Sequence, residues 1–271
     1  MRISLIYAYW PNQPGGVTWC DLPWALRDRG LPKKLNAAGH EVLETILMAE
    51  EPFAEELPAG LRLAGDIADA VREATEQGEL PVVVAGSCAI AAIGAIAGLG
   101  TGTRIAWFDA HPDLNTPETT RSGLFEGMAL AAACGRAWRH IVANEARLLE
   151  PARLEDAILF GATDIDDAEA AMIACAGITR AATPADLMSA LGGAGSVYVH
   201  IDMDVHDGLE VRAGASAVAG GPGEEEVRAA LTEIANIKAL AITGLDPAAA
   251  DAGRAADIAI GHVLAIAGDG A

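Results

Sequence analysis

Short apolar runs recur along this chain, and segments with helical spacing or loops separate them. The runs have the length and the β-branched content of buried strands. The clearest are Arg2–Trp10, Pro81–Ala85, Ile105–Phe108, Ala157–Phe160, Val197–Ile201 and Ala239–Ile242. Strands that alternate with helices pair in a mainly parallel sheet and place the helices on both of its faces. We therefore predict an α/β fold, a single three-layer α/β/α domain that spans residues 1–271.

The composition and the charge exclude two classes of partner. Hydrophobic residues make up 52% of the 271 residues, which is enough for a large core. The formal net charge is −20, whereas proteins that bind nucleic acids or anionic membrane surfaces need clustered Lys and Arg. We therefore expect no nucleic-acid partner and no membrane partner.

One uncharged stretch, residues 80–103, is long enough to cross a membrane. Pro81 and a β-branched run lead there into a Gly- and Ala-rich segment, which favours a buried strand followed by a buried helix. The four cysteines are scattered and form no CxxC pair, so we interpret them as reduced thiols. Because the first residues carry no secretory signal, we predict a cytoplasmic protein.

Three potential metal ligands follow the apolar run Ile105–Phe108 at alternate positions: Asp109, His111 and Asp113. An extended backbone directs alternate side chains to one side, so two carboxylates and an imidazole would converge there. Carboxylates that cluster in this way repel each other unless a cation lies between them. A divalent cation is one interpretation; solvated loop residues, with an aspartate capping a helix, are the alternative.

Two other strand ends carry similar chemistry. Cys88 follows Pro81–Ala85, and Asp202 and Asp204 alternate at the end of Val197–Ile201. The carboxyl ends of parallel strands share one edge of the sheet, so these groups are expected to meet the first three. Five carboxylate or imidazole groups are too many for one ion and favour two divalent cations. Oxygen and nitrogen donors favour Mn²⁺, whereas a thiol ligand shifts the preference toward softer ions.

The remaining histidines are harder to interpret. His206 lies two residues beyond Asp204 and is predicted to sit behind the ligands or to face solvent; a third alternate ligand or a pocket-lining residue is the alternative. We place His200 on the opposite strand face, in the core. The others, to which we assign no role, are His40, His140 and His262.

Three blocks of the chain resemble the metal motifs of the arginase (ureohydrolase) family, in the family's order. The blocks are AGSCA (Ala85–Ala89), DAHPD (Asp109–Asp113) and DMD (Asp202–Asp204). The family motifs are roughly GGDHS, DAHxD and DxD. The resemblance implies an arginase-like hydrolase domain with two divalent ions, most often Mn²⁺. The metal ligands that the resemblance implies are Cys88, Asp109, His111, Asp113, Asp202 and Asp204.

Within this set, the resemblance makes Asp109 and Asp202 the carboxylates that bridge the two ions. Cys88 stands where the family usually has a histidine. A thiolate can ligate a cation, but it is softer and negatively charged. Cys88 is therefore either a ligand or a buried thiol beside a partly filled site.

Two further blocks resemble the family's amino-acid-binding segments. In LNTPETTRSG, the family's contacts to the substrate α-carboxylate correspond to Asn115, Thr120 and Ser122. In FGATDIDDAEAA, the groups that receive the α-ammonium correspond to Asp166 and Glu169. A turn-forming loop and a helix N-cap are the alternatives. Together the blocks imply a small α-amino acid as substrate, and the family often forms homo-oligomers.

The chain departs from the family at two positions around the reacting group. The family's acidic residue near the last strand corresponds to Gly244 in AITGLDP. The shuttle histidine corresponds to Glu126 in SGLFEGM, so Asp113 and Glu126, with His206 as another candidate, would handle protons. A helix-start glutamate is the alternative for Glu126. Unless Asp246 compensates for the missing acid, cationic arginine would bind poorly.

An N-hydroxylated guanidine is less basic than a guanidine and can bind uncharged. We therefore predict an amidinohydrolase that converts N-omega-hydroxy-L-arginine into L-ornithine and hydroxyurea. An arginase, a hydrolase of another guanidino or amidine compound, and a non-catalytic metal-binding relative remain the alternatives.

Overall fold

The computed structural model describes residues 1–11, 18–49 and 56–268. Its strands are β1 (Arg2–Tyr9), β2 (Glu41–Met48), β3 (Leu80–Ala85), β4 (Arg104–Phe108), β5 (Ala157–Phe160), β6 (Thr179–Ala181), β7 (Val197–Asp202) and β8 (Ile237–Thr243). Within the described residues they form one sheet in the order β2-β1-β3-β8-β7-β4-β5-β6. Every neighbouring pair is parallel, which confirms the predicted fold class.

Helices cover both faces of the sheet. They are α1 (Leu22–Asp28), α2 (Leu31–Ala37), α3 (Glu56–Glu76), α4 (Cys88–Leu99), α5 (Ala129–Ala133), α6 (Arg139–Glu145), α7 (Asp167–Ala176), α8 (Pro184–Leu191), α9 (Glu224–Glu233) and α10 (Ala252–Ala267). The central five, α3 to α7, pack on one face, and the other five pack on the opposite face. Side chains of each strand alternate between the two cores, with Trp107 in one and Phe108 in the other.

The uncharged stretch at residues 80–103 forms strand β3 and helix α4. Residues 88–96 of this helix are all buried, which accounts for their apolar character. In the part of the chain that the structure describes, no helix combines the length and the apolarity needed to cross a bilayer.

Four adjacent strands position the functional groups. Strands β3, β8, β7 and β4 are consecutive neighbours in the sheet, although they are far apart in the sequence. Asp202 at the end of β7 pairs with Thr243 at the end of β8, and Ile201 pairs with Phe108 on β4. The carboxyl ends of these strands therefore open at one place, as expected for ligand sites in parallel sheets.

Candidate metal centre

A cavity of about 310 Å³ lies at the carboxyl ends of the four central strands. It gathers all the predicted metal ligands and most of the predicted substrate-binding groups. Its lining includes Cys88, Asp109, His111, Asp113, Asn115, Ser122, Glu126, Asp166, Glu169, Asp202 and Asp204. Groups that are far apart in the sequence thus surround one space.

His111 joins the aspartates of two strand ends. Its Nδ1 lies 3.3 Å from Oδ1 of Asp109 and 3.2 Å from Oδ2 of Asp204. These three residues offer donor atoms that all lie within 4.8 Å of one another, a spacing that one cation can span. The backbone N–H of His111 also donates to Oδ1 of Asp109 at 2.7 Å, which orients that carboxylate.

Cys88 is the first residue of α4, and Asp202 and Thr243 flank its sulfur. The Sγ–Oδ2 distance to Asp202 is 2.9 Å and the Sγ–Oγ1 distance to Thr243 is 3.3 Å. Ser87 caps the helix, since its side chain accepts a hydrogen bond from the N–H of Ile90. Burial and repulsion by Asp202 and Asp113 raise the pKa of the Cys88 thiol well above its usual range, so a bound cation would be needed to hold the sulfur as a thiolate.

The segment after β4 does not continue as an extended strand. The strand ends at Phe108, and Asp113 adopts a left-handed conformation with φ of 52°. The prediction that alternation along an extended backbone brings the three ligands together is therefore wrong in its geometry. A bend brings them to the same cavity instead, and aspartate tolerates the left-handed region better than most residues.

The excess of buried negative charge at the site favours the binding of cations. Burial and repulsion by Asp204 raise the pKa of Asp109 to about 7, and similar causes raise the pKa values of Asp113 and Asp202 well above normal. Burial opposes the charge of His111, but hydrogen bonds to Asp109 and Asp204 raise the pKa of its imidazole to about 12. One imidazolium does not neutralise four buried carboxylates, whereas two divalent cations would.

The predicted ammonium-binding residues also organise the loop that holds Asp113. Asp166 caps α7 by accepting from the N–H groups of Ala168 and Glu169, each at 2.9 Å. Its other oxygen accepts from Nδ2 of Asn115 at 2.9 Å. Glu169 accepts from the N–H of Leu114 at 3.1 Å. The N-cap interpretation is thus correct, and the Asp166 carboxylate lines the cavity as well.

Two predicted residues of the carboxylate-binding loop lie at the rim of the site. Ser122 lines the cavity and is exposed, and its hydroxyl lies 3.4 Å from that of Thr120. Thr120 is not among the described residues that line the cavity. The Thr120 hydroxyl instead accepts a hydrogen bond from the N–H of Gly123 at 3.0 Å, which shapes the loop.

Glu126 begins a short 3₁₀ turn, Glu126–Met128, and faces the start of α4. Its Oε2 accepts a hydrogen bond from the Ser87 hydroxyl at 2.9 Å and from the Ala89 N–H at 3.3 Å. Burial raises the pKa of this carboxyl group to about 7. Glu126 therefore borders the cavity and is tied to the helix that carries Cys88.

The structure corrects two interpretations of histidines. His200 is buried as predicted, but it lies on the same strand face as Asp202, because residues two apart in a strand point the same way. Its Nε2 is 3.2 Å from the Thr243 hydroxyl, and burial lowers its pKa to about 3, so the imidazole is neutral.

His206 does not face solvent: it is fully buried, and its Nε2 is 3.0 Å from Nε2 of His262. His206 is absent from the described cavity lining, so it is not placed to carry protons there.

Several cavity residues were not identified from the sequence. They are Trp19, Gly86, Leu124, Gly127, Asp164 and Ser216. Asp164 stands two residues before Asp166 and lies 3.7 Å from Nε2 of His111, so alternation in that block could have indicated it. Trp19 and Ser216 come from distant loops, and no local pattern marks them.

The comparisons with known proteins agree with this arrangement. The model of the Arginase family matches residues 29–267 of the chain. The chain belongs to this family. Arginases from Bacillus cereus and Bacillus subtilis have the same fold, with TM-scores of 0.85 and 0.86 at 24% and 23% sequence identity. Each of these alignments covers 99% of both chains.

Curated members of the arginase family match shorter segments. An N(omega)-hydroxy-L-arginine amidinohydrolase from Streptomyces lavendulae is 31% identical over 183 residues, 65% of this chain and 64% of that protein. An arginase from Bacillus subtilis is 36% identical over 114 residues, 40% of this chain and 37% of that protein. The chain thus matches less than two thirds of the length of either relative.

Proposed function

We propose that this chain is a binuclear-metal amidinohydrolase that prefers N-omega-hydroxy-L-arginine and releases L-ornithine and hydroxyurea. Its metal ligands would be the six residues implied by the motifs, with Cys88 in the place of the family's histidine. The similarity to the Streptomyces lavendulae protein, which carries this activity in its name, supports the choice of substrate.

One observation carries the substrate preference. Gly244 lines the cavity at the position of the family's acidic residue and has φ of 68°. It has no side chain, so no carboxylate from this position balances a guanidinium. An unbalanced cation in a buried site is costly, whereas an uncharged hydroxyguanidine avoids that cost.

The protein's own groups would bind the substrate at both ends. Asn115 and Ser122 can donate hydrogen bonds to an α-carboxylate, and Asp166 can attract an α-ammonium group. Near the reacting carbon, Asp113 can hold a proton, and Glu126 can pass one to the departing nitrogen. Two bound divalent ions, which we expect to be Mn²⁺, would supply the acidification of water that hydrolysis needs.

Side-by-side kinetics test this proposal. With Mn²⁺ present, we expect kcat/KM for hydroxyarginine to exceed that for arginine by about 100-fold, since an unpaired buried charge costs about 3 kcal/mol. Ornithine release is the common readout for these two substrates, and agmatine, which lacks the carboxylate, should be a poor substrate when its hydrolysis is followed by urea release. A preference for arginine would contradict the proposed substrate, and no ornithine from either compound would favour a non-catalytic relative.

A substitution that removes the charge of Asp166 but keeps its shape separates the two roles of this residue. We expect Asp166→Asn to raise KM about tenfold, because a charge-assisted hydrogen bond to the substrate ammonium is lost. Asparagine caps helices about as well as aspartate, so the stability should fall by no more than about 1 kcal/mol, the contribution of the one lost hydrogen bond from Nδ2 of Asn115. Asp186→Asn, on α8, is the control for a charge change near a helix N-terminus. An unchanged KM for Asp166→Asn would leave this residue with a capping role only.

Three broader expectations accompany the proposal. We propose that residues 1–271 act as one metallohydrolase domain and that the protein works in the cytoplasm, where its four cysteines, none of them in a disulfide, would stay reduced. Homo-oligomer formation remains a prediction from the family resemblance.

A further inference from the structure

A buried chain of polar side chains runs from Cys88 into the core. The Thr243 hydroxyl lies 3.3 Å from Sγ of Cys88 and 3.2 Å from Nε2 of His200. Nδ1 of His200 lies 2.9 Å from the hydroxyl of Tyr198. Tyr198, His200 and Thr243 are all fully buried. Polar groups buried this deeply destabilise the folded state unless they bond to one another. These side chains therefore form one connected hydrogen-bond network.

The ring of His200 has little freedom to move. It stacks on Trp107, with 3.8 Å between ring centroids and an angle of 5° between the planes. Trp107 is itself fully buried in the middle of β4. Stacking, together with a hydrogen bond at each ring nitrogen, holds the imidazole in one orientation.

The donor and acceptor capacities of the side chains set the direction of the hydrogen bonds from Tyr198 to Thr243. Each ring nitrogen of His200 faces one hydroxyl group, so a single N–H, on either Nδ1 or Nε2, suits both contacts. If Nδ1 carried it, the Tyr198 O–H would lose the acceptor that the described residues provide. Tyr198 therefore donates to Nδ1, and Nε2–H donates to the oxygen of Thr243. Without a cation, Sγ of Cys88 donates to the Thr243 oxygen and the Thr243 hydroxyl donates to Ile201 O, both at 3.3 Å.

A cysteine that ligates a cation does so as a thiolate, which can only accept hydrogen bonds. As a thiol, Sγ donates to Asp202 and to Thr243. Once the sulfur is a thiolate, the ionised Asp202 cannot donate to it, whereas the Thr243 hydroxyl can turn from Ile201 O and donate. We infer that Thr243, oriented by His200 and Tyr198, is a positioning residue that holds the Cys88 sulfur as a ligand of one cation. The inference rests on the proposed metal centre. It identifies the hydrogen-bond donor that would support a thiolate ligand in the place of the family's histidine.

Cobalt binding tests this inference without an activity assay. The purified protein is titrated with Co²⁺, and the sulfur-to-cobalt charge-transfer absorption is followed. We expect the band in the unmodified protein and its loss in Cys88→Ser. Thr243→Val keeps the shape of the side chain but removes the donor. We expect it to weaken cobalt binding at this position about tenfold to a hundredfold and to shift the band, as loss of an outer-sphere partner does.

Matched variants isolate the hydroxyl. Thr243→Ser should restore the band, and Tyr198→Phe should shift it in the same direction as Thr243→Val but less. Thr103→Val is the control: Thr103 is buried and bonds to the Ser196 hydroxyl at 3.0 Å, away from the cavity. This control should leave cobalt affinity and the spectrum unchanged.

The outcomes distinguish this inference from the proposed reaction. A Thr243→Val protein with unchanged cobalt affinity and spectrum overturns the inference, even if ornithine is still released. The same holds if the unmodified protein shows no sulfur-to-cobalt band, or if Thr243→Val binds cobalt more tightly because His200 then ligates the ion directly. A lost or shifted band with no hydrolysis of any guanidino compound would retain the inference and reject the proposed function.

Discussion

Replacement of Asp202 by asparagine is expected to abolish hydrolysis while leaving the fold intact. Asp202 contacts Sγ of Cys88 at 2.9 Å and accepts the N–H of Asp204 at 2.8 Å, so it lies between two other candidate ligands. Asparagine preserves the shape but removes a charge and an anionic oxygen. We expect kcat/KM to fall about 1,000-fold or more, which corresponds to about 4 kcal/mol for an uncompensated buried charge.

Asp202→Asn should not lower the thermal stability of the metal-free protein. Burial and repulsion by the neighbouring aspartates raise the pKa of Asp202, so its ionised form destabilises the folded state when no cation is bound. Metal-free Asp202→Asn should therefore unfold at the same or a higher temperature than the unmodified protein. The increase in melting temperature on addition of Mn²⁺ should disappear.

Metal content per chain, thermal unfolding and ornithine release check this prediction together. Asp257→Asn is the control, since Asp257 pairs with Arg29 on the surface of α10. Near-normal turnover by Asp202→Asn would exclude this carboxylate as a metal ligand. Turnover lost together with a large drop in the melting temperature would indicate a structural role instead.

Restoring a side chain at Gly244 is expected to inactivate the protein rather than convert it into an arginase. A Cβ built on Gly244 would overlap the Asp202 carboxylate, with both oxygens and Cγ far inside van der Waals contact. Asp202 is short and buried, so it would have to leave its position. Displacing a reacting group by about 1 Å can cost about 100-fold in rate. We expect at least this loss from Gly244→Ala and no gain of arginine hydrolysis from Gly244→Glu.

Gly177→Ala is a matched control for backbone strain. Gly177 and Gly244 both have φ of 68°, but a Cβ at Gly177 would meet nothing within 4 Å. Both alanine variants should lose about 1 kcal/mol of stability because a left-handed residue is unfavourable. Only Gly244→Ala should also lose metal and hydrolysis. Efficient arginine turnover by Gly244→Glu would mean that the backbone adapts and that the missing acid alone sets the substrate.

The sequence predicts the sheet, and it predicts that the candidate metal ligands lie around one cavity, because the ends of the buried strands determine both. The buried run of β4 stops directly before Asp109, that of β7 ends at Asp202, and β3 is followed by Gly86, Ser87 and Cys88, so each strand end is visible in the local sequence. Parallel topology then brings Cys88, Asp109 and Asp202 to one edge of the sheet without further information.

Other features depend on contacts that no local pattern encodes. Helix α6 was not predicted, because only Val142 of its seven residues is buried and its apolar face is short. Asp113 reaches the cavity through a left-handed turn, and the sequence does not distinguish this turn from an extended strand. Thr243 and His200 are separated by 43 residues, so their hydrogen bond follows from strand pairing alone.

The strand order also constrains how the chain is made. Strands β7 and β8 are last in the sequence but lie between β3 and β4. Until they emerge from the ribosome, the nascent polypeptide can form only two half-sheets, β2-β1-β3 and β4-β5-β6, each with an apolar inner edge exposed to self-association. A chain truncated before residue 197 would therefore keep Cys88 on one half and His111 on the other, and it should aggregate rather than bind cations.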